Sequence, residues 1–364
     1  MALHDHTYAV IMAGGVGSRF WPMSRSGSPK QFLDILDRGR TLIQMTADRL
    51  EPMLPYDRMY VVTNVRYKEE VMAQLPQLPE DQILCEPFMR NTAPCLAYAH
   101  PRIAKKDPEA TIIVASADHL IEDEEGFRDV LGVAVRQASE TAQLLTLGIT
   151  PTRPDTGYGY IQYEELPGAF DERLQQVKTF TEKPNKELAE QFISSGDFCW
   201  NSGIFIWSLS TIQDRFADQL PDLHALFLER ASDLGTDKEA EAVLSIFGAA
   251  ENISIDYGIM EGAPNVGVVL GDFGWSDLGT WGSLYEKLEK DADGNALSGV
   301  NFMGDGASGL MVAAEGGKLV VAKGLRDFIV VDTPDALLLC PRSEEQWVKQ
   351  LVSQLKTDHG EPLV

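Results

Sequence analysis

Three glycines, Gly14, Gly15 and Gly17, follow an apolar run directly, and the cations Arg19, Arg25 and Lys30 come after them. From Ala13 to Leu33 there is no Asp or Glu, in a chain whose formal net charge is -24. Glycines let backbone N–H groups close around an anion, and an arginine offers a fork of donors matched to phosphate oxygens. Lys30 adds a compact point charge. A segment built this way holds a polyphosphate without carboxylate repulsion. Its spacing is not that of a Walker loop, and Phe20 stands where GxGxxG requires glycine. A Gly-rich turn after a strand also reads as a plain tight turn, so the phosphate cradle rests on the combination.

Two acids offer hard oxygen ligands. Asp118 ends the apolar run TIIVASAD, and Asp277 sits between Trp275 and Gly279 in an aromatic, glycine-bearing turn. Magnesium uses one or two carboxylates together with substrate phosphates and water. An acid after a strand is equally at home as a helix cap, so Asp118 alone leaves both readings open. His119, beside it, reads as a structural or supporting residue.

Those residues need elements to position them. Apolar runs at Tyr8 to Met12, Met59 to Asn64, Thr111 to His119 and Leu144 to Ile149 read as strands. Helical patterns at Leu42 to Leu50, Lys68 to Leu75, Thr92 to Lys106 and Glu125 to Gln143 lie between them. This alternation predicts an α/β fold with a Rossmann-like mixed, mostly parallel sheet covered on both faces. Ligands in such sheets bind at the carboxyl ends of strands, where the Gly-rich segment and Asp118 both fall. Further strands are expected in GYGYIQY, VKTFTEKP and WNSGIFIW, and helices from Ser210 to Phe247. From about Ala296 to Pro341 short apolar runs recur at turn-marked intervals, predicting a small β unit, short and left-handed β-helix-like. A helix from Glu344 to Leu355 follows. The expected domains are residues 1–295 and 296–364.

The bulk composition narrows the function. With 31 Lys+Arg against 55 Asp+Glu, polyanions and anionic membranes are repelled, which argues against nucleic acid or a membrane as partner. No run approaches a membrane span, and the first ten residues lack a secretory pattern. Four scattered cysteines, Cys85, Cys95, Cys199 and Cys340, read as reduced thiols of a cytoplasmic protein.

The series AGGVGSRFWPMSRSGSPKQF, EPFMRNTAP, SADHLI, TGYGYI, FTEKP, WNSGIF, SIDYGIME and GWSDLGTW resembles the blocks of the sugar-nucleotide pyrophosphorylases, in family order, over residues 9–281. The likeness is to the GDP-mannose-forming group, the mannose-1-phosphate guanylyltransferases. It implies transfer of GMP from GTP to mannose 1-phosphate. The resemblance assigns the triphosphate to Gly14, Gly15 and Gly17, the outgoing pyrophosphate to Arg19 and the α-phosphate to Lys30. It gives Mg²⁺ to Asp118 and Asp277. Arg25 is a candidate auxiliary, or simply a surface charge. Both Arg19 and Lys30 are expected on a solvent-facing loop.

Guanine offers N–H donors at N1 and N2, which Glu86, Asn91 or Thr92, in the block that the family puts near the base, could accept. Arg90 lies in the same block, and the Ala13 and Gly14 backbone is a further reader. For the sugar phosphate, Glu182 and Asn201 are the polar candidates, Gly159 allows close approach, and Lys183 by resemblance meets the phosphate. Asp256 is either a sugar-site acid or a cap. Tyr158, Tyr160, Trp200 and Trp207 read as core or wall. A homodimer is expected by resemblance. Longer relatives carry an isomerase domain, and the sequence, with only His359 near its end, is not expected to contain it. The alternatives are another hexose or heptose 1-phosphate, and a non-catalytic regulatory subunit; the retention of Arg19, Lys30, Asp118 and Asp277 argues against the latter.

Overall fold

The apolar run before the glycines forms β1 (Thr7–Ala13), and it pairs in parallel with two strands far away in sequence. These are β2 (Met59–Asn64) and, after β3 (Ile83–Glu86), β4 (Thr111–Ser116). The computed structural model describes residues 5–360 and 363–364. The sheet continues through β5 (Leu144–Ile149), β6 (Tyr160–Glu165), β7 (Leu174–Thr181), β8 (Phe198–Ser208) and β9 (Val266–Gly271). Its order is β3-β2-β1-β4-β8-β5-β9-β7-β6. The β3-β2-β1-β4 portion and the β5–β9 pair are parallel, while β8 runs antiparallel to β4, β5 and β6. The sheet is therefore mixed.

Helices form at α1 (Leu42–Leu50), α2 (Lys68–Gln74), α3 (Thr92–Ala104) and α4 (Glu124–Glu140), within a few residues of their expected bounds. Tyr8, Val10, Tyr60, Val62, Ile112 and Val114 pack with α3 and with α6 (Leu209–Gln219), α7 (Pro221–Glu229) and α8 (Glu239–Ala249), which follow α5 (Lys186–Ser195). Their alternate neighbours Ala9, Ile11, Val61 and Ile113 are buried too, so this part of the sheet is covered on both faces. Met12 partners Ser116, so the carboxyl ends of β1 and β4 lie side by side, the crevice position of parallel sheets.

The chain divides into two compact units. The first holds the large sheet and runs up to Gly14, then Thr46–Ala117 and Ile121–Trp275. The second consists of Gly15–Met45, Asp118–Leu120 and Ser276–Val364. Its own sheet, β10 (Ala296–Asp305), β11 (Met311–Lys323), β12 (Phe328–Asp332) and β13 (Leu337–Pro341), pairs the first three strands in parallel, as stacked coils do. Only β13 is antiparallel. The position near residue 295 falls between the two sheets in sequence, and the second unit's apolar cluster draws on residues from both sides of it. Phe20, Trp21, Leu36, Leu120 and Trp281 share one apolar cluster with Ala296, Met311, Ile329 and Val331. Between them stands α9 (Trp281–Lys287), started by a Thr280 capping box. The terminal helix α10 (Trp347–His359) adds Val348, Leu351, Val352 and Leu355 from one face.

Candidate active site

The second unit assembles the charged cluster. Residues 118–120 and 276–278 are joined by a two-way backbone bridge between Leu120 and Ser276, at 2.9 and 3.0 Å. Into this junction reaches Lys30, from a short 3₁₀ turn at Lys30–Phe32. Its Nζ lies 2.9 Å from Asp118 Oδ2 and donates to the carbonyls of Asp277 at 2.7 Å and Leu278 at 2.9 Å. An ammonium has three hydrogens, and here each has an acceptor. Burial pushes the Asp118 carboxyl up, but the Lys30 ammonium and His119 draw it down more strongly, so it lies below its ordinary value. Asp277 Oδ1 accepts from the Gly279 N–H at 3.0 Å.

The expectation that Lys30 faces solvent is overturned: it is 3% exposed. The cause is Gly17, which sits at φ +70°, where a Cβ would come within 2.5 Å of Lys30 Cβ. With no side chain at Gly17, the lysine stem passes under the glycine segment. Arg19 is only half-buried, and its Nε donates to Gln346 Oε1 at 3.2 Å, leaving its two Nη groups outside that bond. Arg25 is an anchor. Its guanidinium donates to the carbonyls of Pro22 and Leu363 and to Asp335. The cap reading of Asp118 also falls, because the N-cap of α4 is Asp123, whose side chain accepts from the Gly126 N–H.

The first unit holds two further groups. At the end of β3, Glu86 is 4% exposed, and its Oε1 is buried without a hydrogen-bond partner. Burial pushes its carboxyl up to about 8, against a small opposing hydrogen bond from Cys95. A Cβ on Gly14 would lie 3.8 Å from Glu86 Oε2, so the glycine backbone and this acid face each other. Ala13 is fixed nearby, its carbonyl accepting from Thr63 at 2.8 Å. The side-chain oxygens of Asn91 and Thr92 both take part in local scaffolding. Asn91, at φ 68°, accepts from the Thr92 N–H, and Thr92 Oγ1 accepts from the Ile255 N–H. Arg90 donates to the Phe247 carbonyl.

The second group gathers Gly159, Glu182, Lys183, Asn201 and Asp256. A Cβ on Gly159 would meet Glu182 Oε2 at 2.5 Å and Asn201 Cβ at 3.4 Å. Lys183, at φ 49°, pairs with Glu182. Asn201 donates to Asp256 at 2.9 Å and accepts from Thr146. Asp256 opens a π-helical turn, Asp256–Met260, and does not cap it. Tyr158 stacks edge-on against Trp200 and Trp275, an aromatic wall. Tyr160 and Trp207 are core. Sequence reasoning missed Thr146, whose one signal is a hydroxyl inside the apolar run LLTLGI.

Among the described residues no cluster of three or more His, Cys, Asp or Glu could hold a metal alone, and no helix is long and apolar enough to cross a membrane. The four cysteines are unpaired. Residues 8–294 match the family described as nucleotidyl transferase, and residues 306–355 match a mannose-phosphate isomerase/GMP-like β-helix domain. The mannose-1-phosphate guanylyltransferase of Escherichia coli (strain K12) is 38% identical over 360 residues, covering 96% of this chain and 74% of that protein. The alginate biosynthesis protein AlgA of Pseudomonas putida is 37% identical over 357 residues, covering 95% and 71%. The crystal structure of mannose-1-phosphate geranyltransferase from Thermus thermophilus superposes with a TM-score of 0.86 at 30% identity, covering 96% of this chain and 99% of that one. With a glycine-rich segment, a lysine and two acids gathered as described, and relatives matched along almost its whole length, the chain belongs to the nucleotidyl transferase family, followed by a β-helix domain of the mannose-phosphate isomerase/GMP-like kind.

Proposed function

We propose that this chain transfers GMP from GTP to α-D-mannose 1-phosphate, giving GDP-mannose and pyrophosphate. The observation that carries the chemistry is the convergence of Lys30, Asp118 and the Asp277–Leu278 turn. The sugar phosphate and the guanylyl group are those in the relatives' names, and GTP is inferred as the donor. A phosphate oxygen of the sugar phosphate bonds to the α-phosphorus, and the bond from that phosphorus to the bridging oxygen of the β-phosphate breaks. Pyrophosphate takes the electron pair. The attacking oxygen is already anionic, so positioning and charge neutralisation carry the catalysis.

Each group then has its task. The Gly14, Gly15 and Gly17 backbone receives the triphosphate, and the Nη groups of Arg19 take up the charge that grows on pyrophosphate. Lys30 fixes Asp118 against the 277–278 turn and supplies positive charge from beneath, with its hydrogens already engaged. Glu86, with its orphaned buried oxygen, reads the N–H edge of guanine, beside the Ala13 and Gly14 backbone. Gly159, Glu182, Lys183 and Asn201 receive the sugar phosphate.

The family generally uses a divalent metal. Asp118 and Asp277, on the two segments joined at the Leu120–Ser276 bridge, would offer carboxylate oxygens short of a full ligand set, which suits Mg²⁺ completed by phosphate oxygens and water. When bound, Mg²⁺ neutralises phosphate charge and orients the groups that react. We further infer a homodimer through the β10–β11 surface and a cytoplasmic setting, with residues 1–295 as the transferase part and 296–364 as the β-helix-like part.

The test is a matrix of four nucleoside triphosphates against several sugar 1-phosphates with Mg²⁺, reading pyrophosphate release. The highest kcat/KM is expected for GTP with mannose 1-phosphate. A preference for UTP, ATP or dTTP overturns the base assignment, and another preferred sugar overturns the sugar assignment alone.

A further inference from the structure

We propose that Asp256 is a positioning residue for sugar binding: its carboxylate holds the Asn201 amide in one orientation, leaving a single N–H to donate to a hexose hydroxyl. The inference rests on reading Gly159, Glu182, Lys183 and Asn201 as the sugar pocket.

An asparagine amide has two faces of nearly equal shape, and its surroundings decide which way round it stands. On one side of Asn201 the Gly203 N–H, which can only donate, lies 3.1 Å away, with the Thr146 hydroxyl at 3.0 Å. That side must be oxygen. On the other side Asp256 Oδ1 lies 2.9 Å away and, when ionised, can only accept. That side must be nitrogen. Turned over, the amide would set oxygen against carboxylate and nitrogen against N–H. With Asp256 ionised, the amide has one stable state.

The donor count then gives the function. The Asn201 nitrogen carries two hydrogens, and Asp256 takes one. The backbone fixes the location, because the Asn201 N–H donates to the Gly159 carbonyl at 2.8 Å. We infer that the second amide hydrogen serves the ligand side next to Glu182, whose Oε2 takes up the space that a side chain at Gly159 would fill. A hydroxyl that accepts there can in turn donate to the Glu182 carboxylate. Asp256 itself is supplied by a one-turn π-helix, a distortion that recurs at functional positions.

Protonation of Asp256 weakens the lock, since a carboxylic acid can turn a donor toward the amide, and the Gly203 N–H is then left to hold the Asn201 oxygen in place. Burial and the nearby Glu182 charge push the Asp256 carboxyl up to about 6, with Asn201 and Lys183 opposing. Burial, with the Glu182 charge adding to it, also pushes the Glu261 carboxyl up.

The experiment is steady-state kinetics of the full chain, varying mannose 1-phosphate at saturating GTP and the reverse. Asp256→Ala should raise the KM for mannose 1-phosphate about tenfold, the loss of one hydrogen bond to an oriented donor. The KM for GTP should stay within about twofold, because no base or triphosphate contact changes. Asp256→Asn can present either an oxygen or an N–H to the Asn201 amide, as the protonated acid can, and should raise the KM for mannose 1-phosphate by less than Asp256→Ala does. As pH falls through about 6 the wild-type sugar KM should rise more steeply than that of D256N, whose profile carries the substrate's own phosphate titration. If D256A does not fold, Thr146→Val replaces it and should raise the same KM severalfold. A folded D256A or T146V with an unchanged sugar KM overturns the proposal, as does a D256N as impaired as D256A. Failure of the substrate reading shows in the wild type alone, as turnover of another sugar 1-phosphate, on which the variants are then compared.

Discussion

Lys30 Nζ stands 2.9 Å from Asp118 Oδ2, and the carbonyls of Asp277 and Leu278 complete its hydrogen bonding. One lysine thus ties together three stretches that are remote in sequence: its own turn after the glycine segment, the segment that follows β4 and the turn before α9. Position 30 is therefore structural as well as electrostatic, and Arg19 differs from it in kind.

Lys30→Ala should cost both stability and turnover, while Arg19→Ala should cost turnover alone. Removing one partner of a buried pair costs about 3–5 kcal/mol, and the half-open Asp118 side reduces this to about 2 kcal/mol. Arg19→Ala should lower kcat/KM on the order of 10²-fold with an unchanged melting temperature, since only a single 3.2 Å bond to Gln346 is lost from the fold. Calorimetric melting beside kinetics checks this. A K30A protein as stable as wild type contradicts the tie, and an R19A protein of normal activity contradicts the arginine's role.

Much of this was legible in the sequence, because the signals were local. β2 matches its expected bounds, as do β5 and α1, since apolar runs and helical periods are properties of neighbouring residues. The strands Ile83–Glu86 and Val266–Gly271 went unread: one is only four residues long, and the other carries two glycines in a short apolar run. Site residues were legible as types but not as partners. The burial of Lys30 depends on Gly17 and on a turn almost 250 positions away, which no local pattern encodes. The Thr146–Asn201–Asp256 chain was hidden for the same reason, since each member belongs to a different element.

Glu86 should lose its proton when GTP binds. In the free protein its carboxyl is held up at about 8, so at pH 7 it is mostly protonated, whereas the N1 and N2 hydrogens of guanine require the ionised form. GTP affinity should rise with pH up to about 8, and calorimetry at pH 7 in two buffers of different ionisation heat should detect nearly one proton released. The folded-state value lies above the unfolded one, so the stability that the neutral acid contributes is full below about 4.5 and is lost as pH rises through about 8. Glu86→Gln should flatten that loss and weaken GTP binding. No proton release would contradict the assignment.

The β10–β11 surface should carry self-association. Met303 is 62% exposed directly opposite Val321, 66% exposed, with Leu319 at 59% two residues along the same strand. Three large apolar side chains on one open face favour a covering partner. Light scattering should give twice the 40.2 kDa chain mass for the wild type, and the chain mass for a folded M303D/V321D variant. An unchanged dimer in that variant would put the interface elsewhere, and a monomeric wild type would remove it.

The most direct test concerns Asp118 and Asp277, 159 positions apart in the chain and joined through Lys30 and the Leu120–Ser276 bridge. If they serve one Mg²⁺, losing the ion once removes a shared benefit, because residues that act as a unit are not additive. Activity is measured against Mg²⁺ concentration for the wild type, Asp118→Asn, Asp277→Asn and the double variant. Each single variant should need more Mg²⁺, and the double should be little worse than the weaker single. Fully additive losses with an unshifted Mg²⁺ requirement would show that the two acids do not share a metal.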